Sequence, residues 1–151
     1  LSLSEDKIRA YKNYANKLWN ITRFVLSSTS DIKYDENFNT YSEIDKTLIE
    51  ERNNFIKEIT KEMNEYKFYL VGEKIYQYTW TRFADIILEE SKTIFESGTD
   101  EEKLSRKQFL LETLTRILKI LHPFMPFVTE EIWSMMPISN KKLLMIERWP
   151  I

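Results

Sequence analysis

The sequence has no cysteine. Disulfides, a thiolate nucleophile and a zinc–thiolate site are therefore excluded. Only two glycines occur, Gly72 and Gly98, among 151 residues. A glycine-rich phosphate loop cannot be assembled from them. Glycine and the four prolines are too sparse to interrupt long helices often. No apolar run approaches the roughly 20 residues that span a bilayer, and the start has no signal-peptide pattern. With cysteine absent as well, a cytoplasmic location is the expectation, without a membrane partner. Histidine occurs once, at His122. A Glu-x-x-His pair is missing, which argues against a di-iron bundle. The formal net charge is only −2, with 30% charged residues. A nucleic-acid binder needs a local basic face rather than a basic total, so this value excludes neither class.

What is present is helical periodicity. The length suits one domain, 1–151. Its first residue is Leu, and the expectation is a fragment of something larger. Ser2 with Glu5 matches a capping box, and Ser4 is a second candidate cap. Ile8, Tyr11, Ala15, Leu18, Thr22 and Val25 then recur at spacings of three and four, predicting a helix to about Ser28. Residues 28–41 are rich in Ser, Asp and Asn and read as a long loop, expected to be the least ordered part. A second helix opens near Ser42, with Ile44, Leu48, Phe55, Ile59 and Met63 on its buried side. After a break at 66–69, Gly72, Ile75, Tyr76, Thr79, Phe83, Ile86 and Ile94 form a third stripe, which Gly98 ends. Thr99 or Asp100 caps a fourth helix carrying Leu104, Leu111, Leu114, Leu118 and Leu121. Pro123 and Pro126 break the chain, Thr129 caps a short helix to Met136, and 143–151 look extended and apolar. The fold class is all-α: an antiparallel helical bundle with a short C-terminal helix and an extended tail.

Catalytic chemistry has few candidates. His122 sits at a helix end, where an imidazole meets the last carbonyls. A nucleophile to partner it is not suggested by the sequence. Glu89–Glu90 and Glu130–Glu131 are adjacent pairs, and neighbours on a helix point about 100° apart, so neither pair converges on one atom. Glu130 and Glu131 fit the first turn of a helix, where acids suit the dipole. The chain alone is expected to be catalytically inert.

Some helix residues fall off the buried stripes. Phe24 lies roughly 150° from the centre of the first stripe, sharing that face with Lys12, Asn16, Asn20, Arg23 and Ser27. Leu88 lies roughly 150° off the third stripe, beside Lys74, Thr81, Asp85 and Lys92. Cations pair with phosphates, amides read base edges, and aromatic rings stack on unpaired bases. Single exposed apolar residues are also ordinary, so a solvated face accounts for the same pattern.

Three strings carry a resemblance. NKLWNITRFVL (16–26), after KIRAYKNYA (7–15), resembles the start of the anticodon-binding bundle of valyl-tRNA synthetases. YQYTWTRFADIILEESK (76–92) resembles the family's third helix. ILHPFMPFVTEEIW (120–133) resembles a string shared by the valine, isoleucine and leucine enzymes of class I, in which Phe124 and Phe127 are expected to pack. Trp149-Pro150 matches the end of the bundle, so the resemblance covers nearly the whole chain. Lys17-Leu18-Trp19-Asn20 favours the valine enzymes. One departure is that Thr47 stands where the family's Asp-x-Trp string, here begun by Asp45, has its Trp.

The resemblance implies tRNA as partner, through its anticodon loop, with Arg23, Phe24 and Leu88 as contacts. Asn20, Asn16 and Lys12 on the same face complete the candidate site. Asp85 is expected to orient a neighbour, because a carboxylate repels phosphate. The class I signatures His-x-Gly-His and Lys-Met-Ser-Lys-Ser are missing from this sequence. The expectation is therefore no cofactor within this chain, with ATP and valine handled by a catalytic domain elsewhere in the full-length ligase. The same domain of an isoleucine or leucine enzyme, and a helical protein-interaction module, are the alternatives.

Overall fold

The computed structural model describes residues 5–151. Its elements are α1 (Glu5–Ser28), α2 (Glu43–Asn64), α3 (Phe68–Gln77), a π-helical stretch (Tyr78–Leu88), α4 (Glu89–Ser97), α5 (Asp100–Leu121), α6 (Pro126–Met135) and a 3-10 turn (Leu144–Ile146). The stretch from α3 to α4 is one continuous rod. No strand occurs among the described residues. Successive rods alternate in direction. The start of α5 lies beside the loop that follows α1, where Lys107 reaches Asp31 at 2.8 Å. The starts of α2 and α5 also meet, through Asp45 and Arg106. The fold is the all-α bundle that the spacing predicts.

Local chemistry sets the boundaries. Ser42 caps α2, its hydroxyl accepting from the Asp45 amide at 3.2 Å. Tyr66 adopts φ 61°, the left-handed turn that separates α2 from α3. Thr99 and Glu102 form a complete capping box on α5. Gly98 ends α4 with φ −73°, not in the left-handed region. Glycine suits this position because a Cβ would stand 2.6 Å from the Ile94 carbonyl oxygen. At Gly72 a Cβ would meet the Phe124 ring at 3.3 Å, so this glycine lets α3 approach the α5–α6 corner. The candidate caps Ser2 and Ser4 lie outside the described residues.

α5 is the centre of the bundle, burying Phe109, Leu110, Leu111, Leu114, Ile117, Leu118, Ile120 and Leu121 against α1, the third rod and α6. Leu18, Ile21 and Val25 of α1 and Ile59 of α2 join the same core. Several expected core positions are instead exposed. Ile8 and Tyr11 lie in the first turns of α1, where Glu5–Asn13 are all exposed, so the helix overhangs the bundle there. Ile44 is exposed because Asp45, Leu48 and Arg52 face inward, turning α2 by about one residue. Leu104 is exposed for the same kind of reason, with Ser105 and Arg106 buried beside it.

Further corrections concern the C-terminal part. α6 starts with Pro126 at its first position, where the missing N–H costs nothing, and Thr129 lies inside the helix rather than at its cap. The Thr129 hydroxyl donates to the Met125 carbonyl at 2.7 Å and lies 2.9 Å from His122 Nδ1. His122 thus bonds to a hydroxyl, not to the carbonyls ending its own helix. Phe124 packs on the core, but Phe127 is 87% exposed, because it points away from the corner that Phe124 fills. With α6 beginning at Pro126, Glu130 is past its first turn; its carboxylate accepts from the Leu144 amide at 2.8 Å and fastens the tail. The tail is not uniformly extended. It makes one 3-10 turn, buries Leu144, and reaches α2, where Trp149 Nε1 donates to Thr60 Oγ1 at 2.7 Å. The 29–42 loop is docked on α5. Gln108 bridges it, accepting from the Asp35 amide at 3.1 Å and donating to the Lys33 carbonyl at 2.9 Å.

Candidate nucleic-acid interface

α1 and the third rod run in the same direction and meet along a seam. At one end Tyr14 packs against Tyr76, with ring centres 4.8 Å apart, and against Trp80 at 6.2 Å. One turn further along α1, Lys17 lies over the Trp80 ring at 5.2 Å and bonds to Asp85 at 3.0 Å. Beyond this cross-link the seam opens into a groove of about 200 Å³ lined by Lys17, Asn20, Ile21, Phe24, Ala84, Leu88, Glu89 and Lys92.

The floor is apolar. Ile21, Ala84 and Leu88 are buried there, and the Phe24 ring is partly buried against the core. Leu88, at 6% exposure, is therefore part of the floor and not of an exposed outer face. The cause is the π-helical stretch. Its i→i+5 pattern rotates the chain by less than the usual 100° per residue, so positions after Tyr78 drift away from a regular helical wheel. Ile86, expected inside, is 44% exposed. The same drift separates residues placed on one side by the sequence. Lys74 bonds to Glu58 and Glu62 of α2, and Thr81 lies beside it in a groove on that flank, whereas Asp85 and Lys92 face α1.

Polar groups ring the floor. Arg23 stands on the rim and donates to Asn20 Oδ1 at 2.8 Å. Lys92 lies 5.7 Å from the centre of the Phe24 ring, within cation–π range, and bonds to Glu89 at 2.7 Å. Asp85 is paired with Lys17, a neighbour on α1. Glu89 and Glu90 diverge, the latter reaching Arg106 at 2.8 Å. Of the six candidates, the structure brings Asn20, Phe24 and Leu88 together in the groove and sets Arg23 at its edge. Asn16 and Lys12 are exposed on α1 outside it. Sequence reasoning left out Lys17 and Ile21, which face the groove from α1. Lys17 stands three residues before Asn20 and Ile21 three before Phe24, and that spacing was the available signal.

The arrangement offers a ring, an amide, a guanidinium and two ammonium groups around an apolar floor. Those are the groups that hold an unpaired base and its flanking phosphates. A larger concavity, about 650 Å³, lies between the 33–38 loop and residues 138–140. Its buried amide, Gln108, is already occupied by the backbone of that loop. Among the described residues no cluster of His, Asp and Glu could hold a metal ion.

The family model for the anticodon-binding domain of tRNA ligase matches residues 45–151, more than half of the chain. The chain belongs to this family. The anticodon-binding domain is also similar over its whole length, α1 included, to curated proteins. It is 38% identical to the valine–tRNA ligase of Pelagibacter ubique over 99% of this chain and 18% of that protein. For the Thermotoga maritima valine–tRNA ligase the identity is 37%, over 93% of this chain and 16% of that protein. For the Bacillus cereus enzyme it is 34%, over 99% and 17%. The domain thus spans less than a fifth of the length of the relatives it matches. Among its described residues, no helix is long and apolar enough to cross a membrane.

Proposed function

We propose that this domain recognises the anticodon of a valine tRNA, as part of a valine–tRNA ligase that joins valine to that tRNA at the expense of ATP. The observation that carries the reading is the groove between α1 and the third rod. There the partly buried Phe24 ring, Asn20 and Arg23 surround an apolar floor that includes Leu88. The similarity to three valine–tRNA ligases supports the choice of amino acid. In this reading Phe24 stacks on an unpaired base, Leu88 supports the ring from below, and Arg23 and Asn20 meet a base edge or a phosphate. Asn16 and Lys12 extend the contact along α1. ATP and valine are bound by other parts of the ligase, and the domain's own residues carry no step of the transfer.

The experiment is a titration of the ligase with tRNAs of several amino-acid identities at low and moderate salt. Tighter binding of valine tRNA, weakened by changes at Phe24 and Arg23, is the expected result. Equal binding of all these tRNAs, unaffected by both changes, overturns the reading and leaves a protein partner as the occupant of the groove.

A further inference from the structure

The charged side chains around the groove are arranged as closed pairs. Lys17 reaches from α1 to Asp85 on the third rod, at 3.0 Å, and closes one end. Lys92 bonds to Glu89 at 2.7 Å and leans across to Phe24 on α1, closing the other. The lysine side chains are 27% and 54% exposed, and their carboxylate partners 52% and 62%. Pairs this open to water contribute little stability and exchange partners readily. Lys92 also covers the ring on which a base would stack. A base and this ammonium group cannot both take that face.

We propose that Lys17 and Lys92 are the phosphate-holding residues of the groove, kept in reserve by Asp85 and Glu89 until single-stranded RNA enters. The inference rests on the anticodon reading above. When RNA binds, each ammonium group leaves its carboxylate for a phosphate oxygen, and the movement of Lys92 uncovers the Phe24 ring. The phosphates on either side of a stacked base supply negative charge near both ends of the groove, where the two lysines stand. A phosphate also offers a charge-assisted bond at least as strong as the one given up, with release of counterions from the RNA. Asp85 and Glu89 thereby set a threshold. A ligand that lacks backbone phosphate does not displace them, whatever its affinity for the apolar floor.

The test uses the full-length ligase carrying this domain and a synthetic stem–loop RNA with a valine anticodon and a 2-aminopurine in its loop. Affinity is measured across a salt series. Lys92→Ala and Lys17→Met should each flatten the logarithmic salt dependence by about 0.7 unit, the single-strand value for one phosphate contact. The Met side chain preserves packing on Trp80. Lys92→Arg should keep the slope. Glu89→Gln should tighten binding roughly two- to five-fold, the range for one exposed pair. That gain should vanish in the Lys92→Ala background, because the carboxylate acts through the lysine. Quenching of 2-aminopurine should survive Lys92→Ala and disappear in Phe24→Ala. An unchanged salt slope in both lysine variants overturns the proposal. So does a Glu89→Gln gain that persists without Lys92, which marks plain removal of negative charge. If Phe24→Ala still weakens binding in either case, the anticodon reading stands and only this inference falls. If the unaltered ligase fails to bind the RNA, both fall.

Discussion

Arg106 and Asp45 form an ion pair at 2.8 Å with both side chains shut off from water. The pair is not isolated. Ser105 donates to the second Asp45 oxygen at 2.6 Å, and the remaining guanidinium nitrogens reach Ser91 at 3.0 Å and Glu90 at 2.8 Å. One side chain of α5 thus ties α2 to α4, and the position of α4 sets where Lys92 stands against Phe24. Arg52 plays a parallel part, bonding to Thr113 at 2.9 Å, while burial presses its pKa down.

Removing Asp45 should therefore be costly. Asp45→Ala leaves the buried Arg106 charge short of its main partner, and a loss of about 3–5 kcal/mol of folding stability is expected. Urea denaturation followed by circular dichroism gives the value. A loss below about 1 kcal/mol would mean that Glu90 or water compensates the guanidinium. Thr47, two residues away, is exposed. Its departure from the family's Trp leaves this network untouched, and Thr47→Ala should fall within about ±0.5 kcal/mol of the parent.

Phe24 and Leu18 separate binding from folding. Phe24→Ala should lower RNA affinity by about 1–3 kcal/mol if the ring stacks on a base. Leu18, fully buried, should cost about 2–5 kcal/mol of stability as Leu18→Ala and leave the groove chemistry in place. Phe24 is partly packed on the core, so Phe24→Ala also carries a folding cost, smaller than that of Leu18. Leu88→Ala belongs with Leu18, because the side chain is nearly buried. Paired melts and RNA titrations decide. A Phe24→Ala protein that folds and binds RNA as before would remove the ring from the site.

The contrast between Phe24 and Leu88 explains what was legible in the sequence. α1 is a regular helix where it crosses the groove, so a 100° step places Leu18, Thr22 and Val25 inside and Asn20 and Arg23 outside, as found. The π-helical stretch follows another step, and nothing in YTWTRFADIIL announces it. The wheel therefore moves Ile86 inward and Leu88 outward, the reverse of their positions. Buried Arg52, Arg106 and Asp45 were missed because hydrophobic spacing cannot register a charged core. The start of α5 at Thr99, one of two candidate caps, and the opening of α2 near Ser42 were legible because their signals are local.

The two glycines predict different outcomes. Gly98→Ala would push a Cβ to 2.6 Å from a backbone carbonyl that cannot move independently, so the end of α4 must shift. A loss of about 1–3 kcal/mol is expected. Gly72→Ala meets only the edge of the Phe124 ring, at 3.3 Å, and α3 gains a better helix former. These effects oppose each other, and a net change within about 1 kcal/mol is expected. Thermal melts of both variants test the order. Gly98→Ala proving the milder of the two would contradict the account of how α4 ends.

The last prediction concerns alkaline pH. Burial raises the pKa of Tyr14 and of Tyr34 from 10.0 to about 12. The Glu112 carboxylate adds to the effect at Tyr34. Burial also moves Tyr41 and Tyr78 upward. A phenol whose folded pKa lies above its unfolded value holds its proton more tightly in the folded state. Between the two values the unfolded chain has lost protons that the folded chain keeps, so stability falls as pH rises. Tyrosine should therefore leave stability unchanged below about pH 9, and its contribution should decline progressively between about pH 10 and pH 12. Ultraviolet titration of phenolate should show these tyrosines ionising late in the folded protein and together with unfolding. Tyr14→Phe provides the control. The Tyr14 hydroxyl is buried and faces only Thr79, whose own hydroxyl proton is given to the Ile75 carbonyl at 2.8 Å, so its removal should cost little at neutral pH. The variant should lose stability less steeply above pH 10. An alkaline profile identical to that of the parent would mean that Tyr14 ionises without unfolding, and that water reaches the seam between α1 and the third rod.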